Sequence, residues 1–270
     1  TGNVTITQTA MNVNRSGNGT GFYGMLNNIN SPAVYNPGVQ TMGMNLTVDA
    51  MGNIYVVGLT STPATGLDNT LIVKYNSSGQ VQKIATFPGI DGLDITNGIG
   101  GSAIYVTGQR PDPSAWVTLM YDSNLVLQSS AVVLGDASAR SIAIDMPGNI
   151  FVVGSDSANS YDIKVIKYNS NLQQLGMATF NTGGRDDGQG IGIGENDTVY
   201  IAGESIVNGT TSYVVLKYSN DLSTLISSAV YSNNVSITDT FGPRDILVTN
   251  SYSGVVYILG LTGSESASSW

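Results

Sequence analysis

The side chains able to do chemistry are few, and they gather. Charged residues make up 11% of the 270-residue chain, and Asp and Arg recur together in stretches expected to be loops leading from one repeat unit into the next, at Asp91 and Asp94, at Asp136 and Arg140, at Arg185, Asp186 and Asp187, and at Asp239, Arg244 and Asp245. Carboxylates at such spacing admit three roles. The first is structural, since Asp bonds the backbone of turns and strand entries. The second is calcium, a hard cation that takes oxygen ligands, here from Asp91 and Asp94 with Asn97 and from the pair Asp186 and Asp187. These residues lack the full spacing of an EF-hand loop. The third is glycoside hydrolysis, which needs two carboxyl groups flanking the scissile bond. The three glutamates, Glu195, Glu204 and Glu265, lie outside these stretches, so an acid/base pair there would be built of Asp alone. The structural role is preferred, with no cofactor required and calcium as the one exception.

Other chemistries are closed by composition. The chain has neither His nor Cys, which removes the Ser-His-Asp arrangement, disulfides, thiolates and the usual transition-metal ligands. Gly183, Gly184, Gly190, Gly192 and Gly194 do not form a phosphate loop, because no helix or partnering Lys follows them. The net charge is −9, and ten Lys and Arg are scattered singly, which argues against nucleic acid and anionic membranes as partners. No apolar run approaches the length of a membrane span.

The elements that position these residues repeat. Gly52 to Tyr75 reads GNIYVVGLTSTPATGLDNTLIVKY; Ile104–Tyr121, Gly148–Tyr168 and Asp197–Tyr218 are variants of it, and a fifth copy starts at Gly254. Each unit resolves into four short strands. The first is Met44–Val48, Ile95–Ile99, Ser141–Asp145, Gly190–Gly194 or Asp245–Thr249. A Gly/Asn/Asp turn leads to the second, Ile54–Gly58, Ile104–Gly108, Ile150–Gly154, Val199–Gly203 or Val256–Gly260, apolar on both alternating sets and so expected to be buried on both faces. A third strand ends at Tyr75, Tyr121, Tyr168 or Tyr218, and a fourth near Phe87, Val133, Phe180 or Tyr231. The glycines Gly58, Gly108, Gly154, Gly203 and Gly260 are spaced 50, 46, 49 and 57 residues apart, with no helical periodicity between them. Four antiparallel strands per unit at this period predict an all-β chain, a single five-bladed β-propeller. The stretch SPAVYN near residue 32 resembles SSAVYSNN at 227–234, so Met25–Tyr35 reads as the tail of a unit whose head is at the C-terminus. The last blade is then completed by both chain ends, which removes the open edges.

The unit DAMGNIYVVGLT…NTLIVKYNSSG, with DMPGNIFVVGSD…DIKVIKYNSN beside it, resembles the bacterial and archaeal β-propeller repeat of cell-surface proteins, the SBBP-type repeat, over roughly Asn45 to Gly260. That resemblance implies a propeller fold and surface display or secretion, and no particular activity. Departures from it are the unequal loops and the non-repeat N-terminus.

Two regions are expected: an N-terminal strand extension over 1–20, and the propeller over 21–270. In the extension Val4 and Ile6 alternate with Thr5 and Thr7, as a strand does, and with Met11 and Val13 they are the expected subunit contact. N-x-[ST] sequons begin at Asn3, Asn14, Asn18, Asn45, Asn76, Asn196, Asn208 and Asn234, and with the absent Cys they suggest an extracellular glycoprotein. Trp116 with the tyrosines offers a sugar-stacking surface, although tyrosines at one fixed position suit packing between blades better. The expected function is a non-enzymatic structural subunit of an extracellular filament or surface layer, with other copies of itself as partner, joined by strand addition of residues 3–13. The alternative is a monomeric propeller that binds or cleaves carbohydrate.

Overall fold

The computed structural model describes residues 40–61, 68–135, 138–157, 161–207, 210–232, 243–248 and 256–260. They form four antiparallel meanders of four strands and one strand pair. Sheet 1 is β1 (Thr41–Val48), β2 (Ile54–Ser61), β3 (Asp68–Tyr75) and β4 (Val81–Pro88). Sheet 2 is β5 (Asp91–Asn97), β6 (Ala103–Arg110), β7 (Ala115–Asp122) and β8 (Leu127–Leu134). Sheet 3 is β9 (Ser138–Ile144), β10 (Ile150–Asp156), β11 (Asp162–Tyr168) and β12 (Gln174–Phe180). Sheet 4 is β13 (Arg185–Ile193), β14 (Val199–Val207), β15 (Thr210–Tyr218) and β16 (Leu225–Ser232). The pair is β17 (Pro243–Val248) with β18 (Val256–Gly260).

The first strands lie side by side in chain order, β1 against β5, β5 against β9, β9 against β13 and β13 against β17. The fold is propeller-like. The second strands of sheets 1 to 4 are buried on both faces, as their sequences require, whereas Tyr257 of β18 is exposed. Tyr55, Val57 and Ile72 pack on Ile104, Val106 and Leu119 between sheets 1 and 2. Tyr105 and Trp116 pack on Ile150, Val152 and Ile166 between sheets 2 and 3, and Phe151, Val153 and Ile163 on Val199, Ile201 and Leu216 between sheets 3 and 4. Each such side chain contributes about 1.5–3 kcal/mol on burial. On the face of sheet 1 turned away from sheet 2, Ile54, Leu71, Val73 and Tyr75 form a fourth buried cluster.

The first strands begin two to five residues upstream of where the apolar pattern places them. The cause is a β-bulge. Register slips by one residue between Gly43 and Asn45, Gly92 and Asp94, Ala139 and Ser141, Gly188 and Gly190, and Pro243 and Asp245. The bulge breaks the alternation, so only the downstream half reads as a strand. Asp91, Asp94, Arg140 and Arg185–Asp187 therefore sit within strands rather than loops, a correction to the sequence reading.

The bulge also explains the signature glycine across from it. A Cβ on Gly58, Gly108 or Gly154 would run into the carbonyl oxygen of Met42, Asp91 or Ser138, and one on Gly203 would lie 2.7 Å from that of Asp187. Gly154→Ala is expected to lower stability by about 3 kcal/mol, the scale of an overpacked core, as measured by urea unfolding; a loss under 1 kcal/mol would show that the bulge can relax.

The turn between third and fourth strands positions a residue the sequence reading passed over. Its fourth place has positive φ, filled by Gly79 in sheet 1 but by Leu125, Leu172 and Leu222 in the others, at φ 61, 62 and 64. A left-handed leucine costs roughly 1–2 kcal/mol. Each is buried in the core against the preceding sheet, which offsets that cost.

Candidate functional site

The bulge residue's successor is the same place in every unit: Asn45, Asp94, Ser141, Gly190 and Asp245. Three of these side chains join. Asp94 is 7% exposed. Its Oδ1 accepts from Asn45 Nδ2 and, at 2.8 Å, from the Ile95 N–H. Its Oδ2 accepts from Ser141 Oγ at 2.8 Å and the Ile142 N–H at 2.9 Å. One carboxylate on β5 thus ties β1 to β9. Burial pushes the carboxyl above its ordinary value, against the pull of these four donors. One step outward, Thr47 Oγ1 donates to Asn97 Oδ1 at 2.7 Å.

The other candidate carboxylates are distributed. Asp91 Oδ2 accepts from Gln109 Nε2 at 3.1 Å. Asp186 and Asp187 are successive residues of β13, so their side chains stand on opposite faces. Asp186 is fully buried and accepts from the Thr182 N–H and Oγ1, both at 2.8 Å. Asp187 faces sheet 3, where Ser155 Oγ donates to Oδ1 and Arg185 Nε to Oδ2, each at 2.6 Å. The Arg185 guanidinium also lies 4.5 Å from the Tyr161 ring centre. Burial alone would lower it, but the hydrogen bond and charge of Asp187 outweigh this and hold it above its usual value.

Glu204 belongs to this group. It is the direct cross-strand partner of Asp187, 5% exposed, and so joins the acidic end of sheet 4, contrary to the reading that set every glutamate apart. The signal was available: the residue after the signature Gly203 must face the residue before Gly188. Among the described residues, no three acidic side chains converge on one point able to hold a metal ion. Asp136 and Asp239 lie outside the described residues, as do the side chains of Arg244 and Asp245.

The repeated Lys-Tyr and Ile-Tyr motifs form a second recurring device. Lys74, Lys167 and Lys217 hold their ammonium groups 5.1, 5.1 and 5.3 Å from the rings of Tyr55, Phe151 and Tyr200. Lys74 then donates to the Ser123 carbonyl at 2.8 Å, and Lys167 to that of Asn220 at 3.2 Å, each in a turn of the following sheet. Tyr105 makes the equivalent reach to the Ser170 carbonyl at 2.8 Å. Asn220 returns a bond to Asp145 at 3.0 Å. The motif is a stitch from each sheet to the next.

The aromatics are spent on the same task. Trp116 is 1% exposed and donates to the Ser155 carbonyl at 3.1 Å, so it offers no sugar a surface, which corrects that expectation. Tyr121, Tyr168 and Tyr218 are buried between sheets, and Tyr75 is buried on the face of sheet 1 turned away from sheet 2. Of the sequons, Asn45 has its amide nitrogen engaged by Asp94. Asn76 caps its turn, accepting from Ser78 and Gln80, and Asn196 stands exposed at φ 56. Asn3, Asn14, Asn18, Asn208 and Asn234, and the contact residues Val4, Thr5, Ile6, Thr7, Met11 and Val13, lie outside the described residues. No helix among the described residues is long and apolar enough to cross a membrane.

No protein-family model and no curated protein matches the chain. Among solved structures, a protein of unknown function from Bacteroides caccae is similar at TM-score 0.49 and 13% identity, over 76% of this chain and 71% of that one. The β-propeller domain of the Trilobed protease from Pyrococcus furiosus, which has an open velcro topology, is similar at TM-score 0.47 and 9% identity, over 82% and 70%.

Proposed function

We propose that this chain is a non-enzymatic structural subunit of an extracellular filament or surface layer, whose copies join by strand addition. The observation that carries this reading is the outer edge of each sheet. β4, β8, β12 and β16 are the outermost strands, and among them only Lys83 is charged. Their exposed residues include Val81 and Ile84, Val132 and Leu134, Leu175 and Met177, and Val230 and Tyr231. Uncharged edges with exposed aliphatic residues are what monomeric proteins avoid, because they pair with other chains. The alternating segment 3–13 of a second copy has the chemistry to occupy one of them.

In this reading β17 and β18 are the inner half of a fifth blade, to which the sequence of Met25–Tyr35 would add the outer part. The place of Lys217 over Tyr200 supports it, since the same arrangement in sheets 1 and 3 stitches each to a following sheet. The carbohydrate alternative draws on Asp187 and Glu204 alone, a buried pair beside Arg185.

Electron microscopy of the full chain is expected to show regular filaments or sheets. Removing residues 1–20 should leave single particles that melt as the intact subunit does. Val132→Lys or Met177→Lys should block assembly at one edge without lowering the melting temperature of the monomer. Monodisperse full-length particles at every concentration would overturn the proposal and redirect attention to Glu204→Gln and glycan binding.

A further inference from the structure

The end of the β10–β11 hairpin carries a charge arrangement the scaffold does not need. Asp156 and Asp162 are direct cross-strand partners, so both side chains stand on one face, the face turned to sheet 2. They are 8% and 6% exposed. Like charges placed directly opposite destabilise a strand pair. Lys164, on the same face, lies 3.5 Å from Asp156 Oδ2.

Asp162 Oδ1 is buried and has no hydrogen-bond partner, the one such side-chain atom among the described residues. A bare carboxylate oxygen inside a protein is costly, and buried polar groups are ordinarily satisfied. This scaffold otherwise follows that rule: Asp94 has four donors, and Asp186 and Asp187 have theirs. Packing does not explain the acids either. The equivalent cross-strand pairs are Thr60 with Asn69, Arg110 with Ala115, and Ser205 with Ser212. The flanking Ser157 and Tyr161 are exposed, so the hairpin end is reachable from solvent.

We propose that a divalent cation of the calcium type binds here, held by Asp162 Oδ1 and the Asp156 carboxylate, with water and backbone carbonyls completing its oxygen shell. A hard cation takes oxygen ligands of this kind, relieves the like-charge opposition and satisfies the orphaned oxygen in one step. The site is separate from Asp186 and Asp187 on sheet 4, and it does not depend on whether the chain polymerises.

The test uses the full chain with calcium or terbium. Trp116 donates to the carbonyl of Ser155, the neighbour of Asp156, and so stands close enough to sensitise terbium emission. Wild type should show sensitised emission that calcium displaces, and calcium at about a hundredfold over its Kd should raise the melting temperature by about 5 °C over EDTA. Asp162→Asn should lose both responses, yet in EDTA melt at or above wild type, because the opposed charges are gone. No calcium response in wild type overturns the proposal, whether or not the variants fold. So does a response kept by Asp162→Asn but lost by Asp187→Asn, which would put the ion at sheet 4. An Asp162→Asn protein melting well below wild type in EDTA would make the residue structural and overturn it too.

Discussion

Asp94→Ala is expected to lower the melting temperature by about 10 °C, the equivalent of about 4 kcal/mol in a domain of this size. The carboxylate is buried and accepts four hydrogen bonds from three sheets. A hydrogen bond to a charged group is worth about 1.5–3 kcal/mol, and removing the acceptor strands the N–H groups of Ile95 and Ile142 out of reach of water. Asp94→Asn should recover only part of the loss. An amide has one accepting atom, and although the Ser141 hydroxyl can turn to accept, the Ile142 N–H cannot. Ser141→Ala removes one donor and should cost about 1 kcal/mol. Thermal unfolding of the three variants side by side checks this, and an Asp94→Ala protein within 2 °C of wild type would deny the residue its linking role. The pH dependence has a definite sign. Because burial raises Asp94, the folded state holds this proton more tightly than the unfolded chain. The stability from its titration is present below the ordinary carboxylate value and lost as pH rises through the raised one, so mild acid should not loosen the fold through this group.

Alkali should unfold the protein cooperatively. Tyr55, Tyr105, Tyr121 and Tyr218 all have hydroxyls pushed up by burial first, Tyr55 also by Asp49, and Tyr121 reaches about 12. The unfolded chain releases these protons near pH 10, so stability is intact below that value and falls as pH climbs towards the raised ones. Each group removes up to about 1 kcal/mol per pH unit, less where its hydroxyl meets solvent, so four together can consume a typical folding free energy within two units. Absorbance of tyrosinate and circular dichroism recorded on one titration should show this set ionising in step with unfolding. Smooth ionisation of all fourteen tyrosines near pH 10 with the fold intact would contradict it.

The repeat, the four strands of each unit and the doubly buried second strand were legible because they follow from apolar spacing alone. The start of each first strand was not. A single extra residue, Leu93 between Gly92 and Asp94 for example, reverses the side-chain alternation, so the upstream half looks like loop. That one feature moved the carboxylates from loops into strands and hid the pairing of Asp187 with Glu204. Left-handed leucines escaped for another reason: Leu125, Leu172 and Leu222 stand where local preference asks for glycine, and only the core they fill makes that conformation worth adopting. The place of Trp116 against Ser155 depends on a neighbouring sheet and has no trace in local sequence.

The gap at Gly190 bears on cooperativity. Asp94 couples two sheet boundaries through one side chain, so sheets 1, 2 and 3 cannot part at either boundary without disturbing the other. Gly190 holds the corresponding place in β13 and has no side chain to pass the link on. The boundary between sheets 3 and 4 is held by bonds that each span it alone, such as Ser155 to Asp187 and Lys167 to Asn220. Sheets 1, 2 and 3 are therefore expected to open together, and sheet 4 to open by itself at lower free energy. The β10–β11 hairpin turns Asp162 towards sheet 2, so a cation held there would brace the three-sheet block and leave the seam with sheet 4 untouched.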